Sequence, residues 1–308
     1  MLAMAMQAMR TRFEIILPGD DDVFLRAVAE EVFAEIAACE QTISPFIQSS
    51  LISCINRQAH NRAVSTDPET FGLLCLCRDV WKKSKGSFDI TVAPLLRTYG
   101  FRDTSAVSEE DELFTGNNVS MDYIHLDNEA LSVSFIKEGI RIDLGAVGKG
   151  YALDLAKRVL TENGISNALL HGGTSSIVTL GHPPDSEAWV IKIGNKINAP
   201  RVSLRDTAIS VSSVKSRTVE QPDGSTAGHI FNPKTGKPAK TSKYAVTICE
   251  SAAAADAWST AILVSDGIED AVEHGVCAYL VSEDDQKVAD YHQHGIAHQD
   301  LSTFQRQL

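Results

Sequence analysis

The feature that most constrains this chain is the run Ile142-Asp143-Leu144-Gly145-Ala146-Val147-Gly148-Lys149-Gly150-Tyr151. A strand pattern ends on an acid there, and a glycine-rich turn opens a helix. Val147, Tyr151, Leu155 and Val159 recur at helical spacing, and Asn163-Gly164 supplies the stop. Unpaired amides at such a helix start suit a phosphate. A glycine turn that only packs a helix on a sheet reads the same way. The spacing is G-x-x-G-x-G, and no G-K-[ST] occurs, so neither the dinucleotide fingerprint of a doubly wound sheet nor a P-loop is present.

The surrounding pattern agrees. Arg12 to Leu17 reads as a strand, followed by a helix with Val23, Val28, Val32 and Ile36 inward. Ser44 to Asn56 reads as an irregular loop. Asp67-Pro68-Glu69 starts a helix that turns Phe71, Leu74, Cys75 and Val80 inward and ends near Lys85-Gly86. An acidic, Ser-rich stretch from Asp103 to about Asn118 reads as a surface excursion. Strands are expected at Tyr123 to Leu126, Leu131 to Ile136, Ile140 to Ile142, Ala168 to Leu170 and Trp189 to Ile193. Further strands are expected at Val202 to Leu204, Ala208 to Val211, Tyr244 to Cys249 and Ala278 to Val281, with an Ala-rich helix over Ala252 to Leu263. Strands in runs with helices interspersed irregularly give an α+β fold of mixed or antiparallel sheets. The 308 residues make one unit over 1–308, or two intertwined α+β subdomains.

A formal net charge of -12 disfavours nonspecific binding to nucleic acid or anionic membrane, although a few local donors can still hold a phosphate. The start, MLAMAMQAMRTRFEI, is apolar but lacks a basic leader region and a lipid-accepting cysteine. No run reaches the roughly 18 apolar residues of a transmembrane segment. As it stands the sequence reads as cytoplasmic, or as exported if a leader has been trimmed. The six cysteines read as buried thiols, and His292, His294 and His298 as a solvated tail without a metal framework.

Three further segments carry chemistry. In Lys85-Gly86-Ser87-Phe88-Asp89 a glycine frees the backbone, Phe88 offers a flat apolar face and Asp89 an acceptor; a helix end leading into core fits too. His229 precedes the rigid Asn232-Pro233-Lys234-Thr235-Gly236 turn, as a neutral-pH base or as a structural histidine. Asp256 and Thr260 share one face of the Ala-rich helix. A carboxylate and a hydroxyl there are hard oxygen donors suited to Mg²⁺, or an acid favouring the helix dipole and its neighbour.

In order and spacing these segments resemble the ApbE family of flavin transferases. Met9-Arg10-Thr11 stands for its M-G-T, Ser44-Pro45-Phe46 leads to Ser50 and Asn56, and Gly86 to Leu95 is followed by Tyr99-Gly100-Phe101. Asp143-Leu144-Gly145 with Lys149-Gly150-Tyr151 and Asp154 comes next, then Gly172-Gly173. His229-Ile230-Phe231-Asn232-Pro233 with Thr235-Gly236, and Ala255-Asp256 with Thr260-Ala261, complete the series. The chain departs from the family at Arg10 for glycine, at Ser213 for the glycine of T-S-G, at Asn232 for aspartate and at Thr174 for Asp or Asn.

The resemblance implies an ApbE-like fold and Mg²⁺-dependent transfer of FMN from FAD to a Thr or Ser hydroxyl of an acceptor flavoprotein, with AMP released. It implies Asp256, Thr260 and the Ala146 carbonyl as metal ligands and His229 as the base. It places Met9, Phe46, Ser87, Phe88, Asp89, Asp143, Lys149 and Phe231 around the dinucleotide. A cation at Lys149 opposes the helix dipole, which suits an anionic or polar ligand or a side chain snorkelling to solvent. Two alternatives use the same site: an FAD pyrophosphatase with water as nucleophile, and a noncatalytic FAD-binding protein.

Overall fold

The computed structural model describes residues 1–101, 118–194, 199 and 201–282, and the backbone of 287–291. The acidic stretch after Asp103 and His292, His294 and His298 lie outside the described residues. The apolar start is itself a strand, β1 (Leu2–Ala8), paired antiparallel with β2 (Thr11–Leu17). Ala8 faces Thr11 across a two-residue turn in which Met9 (φ 49°) and Arg10 (φ 61°) are both left-handed. That turn matches the hairpin twist but costs a non-glycine residue roughly 1–2 kcal/mol per position.

Helix α1 (Asp22–Ile43) starts where Asp21 accepts from the Phe24 amide at 3.0 Å. It buries Val28, Val32 and Ile36 as its spacing requires, but Val23 is 83% exposed. Five residues before Val28 is about 140° round the helix, and Leu25 takes the inward place instead. The expected loop at 44–56 contains a helix, α2 (Leu51–Gln58): Ser50 accepts from the Ser53 amide at 3.0 Å, and Ile52 and Ile55 face the core. The Pro, Ser and Gln content of the segment hid a short capped helix. Next come β3 (Val64–Ser65) and α3 (Pro68–Lys83), where Asp67 accepts from the Thr70 amide at 2.7 Å. Phe71, Leu74 and Val80 are buried and Cys75 half-buried. Lys85 and Gly86, both at positive φ, end the turn.

Helix α4 (Ala93–Thr98) is followed by β4 (Ile124–Asp127) and β5 (Ser132–Phe135), which form a small sheet with β3. Ile140 to Ile142 joins no sheet, contrary to expectation. The Asn56 side chain takes the place of a partner strand: its amide donates to the Ile142 carbonyl at 2.9 Å and its oxygen accepts from the Ile142 amide at 2.7 Å.

Helix α5 (Gly148–Glu162) buries Leu155 and Val159. Strands β6 (Ala168–Gly172), β7 (Ser176–Leu180), β8 (Trp189–Lys192), β9 (Arg201–Leu204) and β10 (Ala208–Ser213) follow. Two short hairpins come next: β11 (Thr218–Glu220) with β12 (Thr226–Gly228), and β13 (Phe231–Asn232) with β14 (Lys237–Pro238). The chain continues through β15 (Lys243–Cys249), α6 (Ala252–Ser265), α7 (Glu269–Glu273), β16 (Cys277–Ser282) and β17 (Lys287–Tyr291).

The main sheet has the order β1-β2-β6-β7-β10-β15-β16-β17, antiparallel at every pairing. Helices α1, α5 and α6 pack on one face and enclose the larger core. On the other face Ile209, Val246, Ile248 and Cys277 pack with Val202 and Leu204 of the β8–β9 hairpin. With both faces covered, strands such as Ala245 to Ile248 are buried continuously rather than alternately. A third cluster joins Leu95, Leu96 and Phe101 to Ala227 and Phe231, tying α4 to the β11–β14 arm.

Candidate functional site

A cleft of about 910 Å³ runs between the β1–β2 turn, the start of α5, α6 and the β13 arm. Its deepest acid is Asp256, 3% exposed on α6. One oxygen accepts from the Gly150 amide at 2.8 Å and the other from the Ser176 hydroxyl at 2.7 Å. Both donors are neutral, and among the described residues no cation pairs with this carboxylate. A buried charge of that kind is left for a cation to balance.

Helices α5 and α6 hold each other by their ends. Asp256 of α6 takes the Gly150 amide in the first turn of α5. Asp154 of α5 takes the Ala252 amide at 2.7 Å, the Ala253 amide at 3.0 Å and the Ser251 hydroxyl at 2.7 Å, capping α6. Burial raises the Asp154 carboxyl above the usual carboxylate range, against the pull of those three donors. The exchange needs close helices: a Cβ on Gly150 would lie 2.1 Å from the Ala252 carbonyl oxygen. We expect Gly150→Ala to destabilise the protein by about 3 kcal/mol, the upper end of the overpacking range. A denaturant midpoint equal to wild type would show that the helices can separate freely.

This contact also settles what the glycine-rich turn does. The Gly145 amide donates to Asp143 at 2.8 Å, and the Val147 and Gly148 amides both donate to the Leu144 carbonyl. Gly150 and Tyr151 donate to Asp256 and to the Val147 carbonyl. The expected cradle of unpaired amides is therefore absent at these positions. These amides orient Asp143 and Asp256 and close the turn instead of facing a ligand.

Thr260 lies one turn beyond Asp256 and also lines the cleft, as does Ala146. The Ser212 hydroxyl is 2.8 Å from that of Ser259 and 3.5 Å from that of Thr260. The cleft lining thus includes hard oxygen donors of the type a Mg²⁺ ion takes when waters and phosphate complete its shell. Among the described residues no group of three or more His, Cys, Asp and Glu could hold a metal. A single carboxylate among weaker donors fits a metal shared with a phosphate better than a closed protein cage.

Ser87, Asp89, Asp143 and Lys149 also line the cleft. Asp89 is 7% exposed and also a structural tie: it accepts from the Thr91 amide and hydroxyl at 2.7 and 2.6 Å and from the Met121 amide at 3.1 Å. Burial pushes its carboxyl above the usual range despite those donors. Phe88 is the exception among the expected residues. It is 1% exposed, belongs to the main core and does not line the cleft, so its ring offers no free face there. Among the described residues Lys149 pairs with no carboxylate.

His229 and Phe231 line the cleft from the β13 arm. The His229 ring Nδ1 lies 3.2 Å from the Arg217 carbonyl. A carbonyl only accepts, so this contact is made with the proton on Nδ1. Phe231 is 4% exposed and packs against Tyr99, with ring centroids 5.0 Å apart. The Asn232 side-chain oxygen accepts from the Lys234 and Thr235 amides at 3.0 and 3.2 Å. An amide oxygen closes that turn as a carboxylate would, which explains why asparagine serves here. At the opposite end are Met9 and Phe46, the latter 49% exposed. Gly173, at φ 68°, sits where a Cβ would come within 2.5 Å of the Thr11 hydroxyl, which packs the β1–β2 turn onto the sheet.

Four structural residues were not singled out as site candidates from sequence: Asn56, Asp154, Arg10 and Arg217. Asn56 and Asp154 stand inside the quoted motifs, but their partners are 86 and about 98 residues away. Arg10 was noted as a departure, with no contact to give it a role.

A profile of the ApbE family matches residues 9–279. The FAD:protein FMN transferase of Klebsiella pneumoniae (strain 342) is 26% identical over 292 residues, covering 89% of this chain and 82% of that protein. The FAD:protein FMN transferase of Escherichia coli (strain K12) is 25% identical over 294 residues, covering 90% and 83%. Among solved structures, the ApbE protein of Thermotoga maritima superimposes with a TM-score of 0.81 at 25% identity, covering 93% of this chain and 96% of that one. The flavin transferase ApbE of Vibrio cholerae gives 0.77 at 19% identity, covering 94% and 96%, a likeness of fold.

Proposed function

The chain belongs to the ApbE family, and we propose that it transfers FMN from FAD to a Thr or Ser hydroxyl of an acceptor protein, releasing AMP in a Mg²⁺-dependent reaction. The observation that carries this reading is Asp256: buried, bonded by two neutral donors, unpaired with any cation among the described residues, and facing a cleft of dinucleotide size. Asp256, Thr260 and the Ala146 carbonyl would hold Mg²⁺, which reduces the negative charge on the two phosphates. The chain's own residues do the rest. Gly150 and Ser176 fix the Asp256 carboxylate, and Ser212, bonded to Ser259, lies beside the Thr260 hydroxyl. Lys149 adds a positive charge to the cleft lining beside Gly145, Val147, Gly148 and Gly150, whose amides are already used.

The acceptor hydroxyl attacks the FMN phosphorus. A new P–O bond forms to the acceptor, the bridging P–O bond of the pyrophosphate breaks, and AMP leaves. His229 Nε2 takes the hydroxyl proton, with Nδ1 anchored on the Arg217 carbonyl so that the ring presents its basic nitrogen.

Water in place of the hydroxyl would make the same site an FAD pyrophosphatase. Incubation of the purified chain with FAD and Mg²⁺, with and without a candidate flavoprotein acceptor, separates the two. The proposal expects AMP release that depends on the acceptor. Free FMN and AMP at the same rate without it would establish hydrolysis instead.

A further inference from the structure

We propose that Arg10 is a ligand-binding residue of this cleft, holding a phosphate-bearing flavin nucleotide by its charge; this rests on the FAD reading above. Three independent observations meet at this side chain. First, it occupies the second position of a two-residue hairpin turn at φ 61°, where the family pattern has glycine. A large residue in a left-handed turn is strained, and strain that persists calls for a compensating role. Second, the guanidinium lines the cleft and lies 4.6 Å from the centroid of the Phe46 ring, itself at the mouth. Third, it pairs with no carboxylate among the described residues, in a protein with a formal net charge of -12.

The surroundings define what it would take. Glu40, Asp89, Asp143 and Asp256 line this cleft against Lys149, Lys192 and Arg217, so without Arg10 the acids outnumber the basic side chains and oppose a ligand carrying two phosphates. The amides of Gly145, Val147, Gly148 and Gly150 are engaged internally. A positive side chain at the mouth counters that repulsion on approach and can grip a phosphate oxygen with forked, charge-assisted bonds. The Phe46 ring holds the guanidinium by cation–π attraction, which limits its freedom in solvent. The chain thus supplies by a side chain what a glycine turn cannot.

The test is FAD affinity in Mg²⁺-free buffer, so that no turnover consumes the ligand, for wild type, Arg10→Gly and Arg10→Lys across a range of salt. Glycine suits the turn, so the unfolding midpoint of Arg10→Gly should equal or exceed that of wild type and certify the fold. At low salt Arg10→Gly should bind FAD about 10-fold more weakly. The gap should narrow as salt rises, since screening removes what the charge contributed. Arg10→Lys should fall between. Equal affinity in Arg10→Gly and wild type at low salt overturns the proposal, and so does a loss that is the same at every salt concentration, which would mark packing rather than charge. Wild-type protein that binds no FAD at all would overturn the proposed function along with it; binding by wild type unaltered in Arg10→Gly would overturn the role of Arg10 alone.

Discussion

Asp256→Asn should leave the protein folded and abolish Mg²⁺-dependent turnover of FAD. The amide oxygen of asparagine can still accept from Gly150, and its NH₂ can donate to the Ser176 hydroxyl, so both contacts that seat the residue survive. What disappears is the charge. Losing an outer-shell partner already costs a metal site roughly 10- to 100-fold in affinity, and loss of the only carboxylate in the set should exceed that. Two measurements check it: Mg²⁺ affinity by titration should collapse, while the unfolding midpoint stays near wild type. Turnover near the wild-type rate would remove Asp256 from the metal site. A collapse of the midpoint instead would assign the residue to the α5–α6 junction alone.

His229→Ala should bind FAD with near wild-type affinity and transfer FMN about 10²- to 10⁴-fold more slowly, the range a positioned base contributes. The ring lies against the Arg217 carbonyl at one nitrogen, is half-buried and lines the cleft. Its removal touches neither the Asp256 contacts nor the Asn232 turn, which stands on backbone amides. Separate measurement of FAD affinity and of single-turnover transfer distinguishes a base from a binding residue. Unchanged transfer would reassign the base, and a loss confined to affinity would make His229 a binding contact.

The two expectations fail for different physical reasons, because Asp256 is held by distant partners and His229 by a local arm. That difference also decides what the sequence could show. Periodicity and caps lie within a few residues, so Asp67, Asn163-Gly164 and Val28, Val32 and Ile36 of α1 were readable directly. Strands such as Ser176 to Leu180 and Leu2 to Ala8 were not, because the first sits among small polar residues and the second is built of Ala and Met rather than β-branched or aromatic residues. The helix at Leu51 was concealed by its cap, Ser50, which composition assigned to a loop. In the site, residue types and order pointed to Asp256, Thr260 and His229. They could not reveal that the glycine-rich turn spends its amides on Asp143 and Asp256, or that Phe88 faces the core. Those are outcomes of contacts across roughly a hundred residues, such as Gly150 with Asp256. Asp154 is the sharpest case: a surface-looking acid at i+4 from Gly150 caps a helix about 98 positions later.

The central claim is that the Asp256 site moves FMN onto a protein hydroxyl. The most direct test is mass spectrometry of an acceptor flavoprotein co-expressed with this chain, in wild-type form and as Asp256→Asn. With wild type, the acceptor should gain the mass of one FMN at a single Thr or Ser; with Asp256→Asn it should not. An acceptor that stays unmodified with wild type, while FAD is split to free FMN and AMP, would contradict the account.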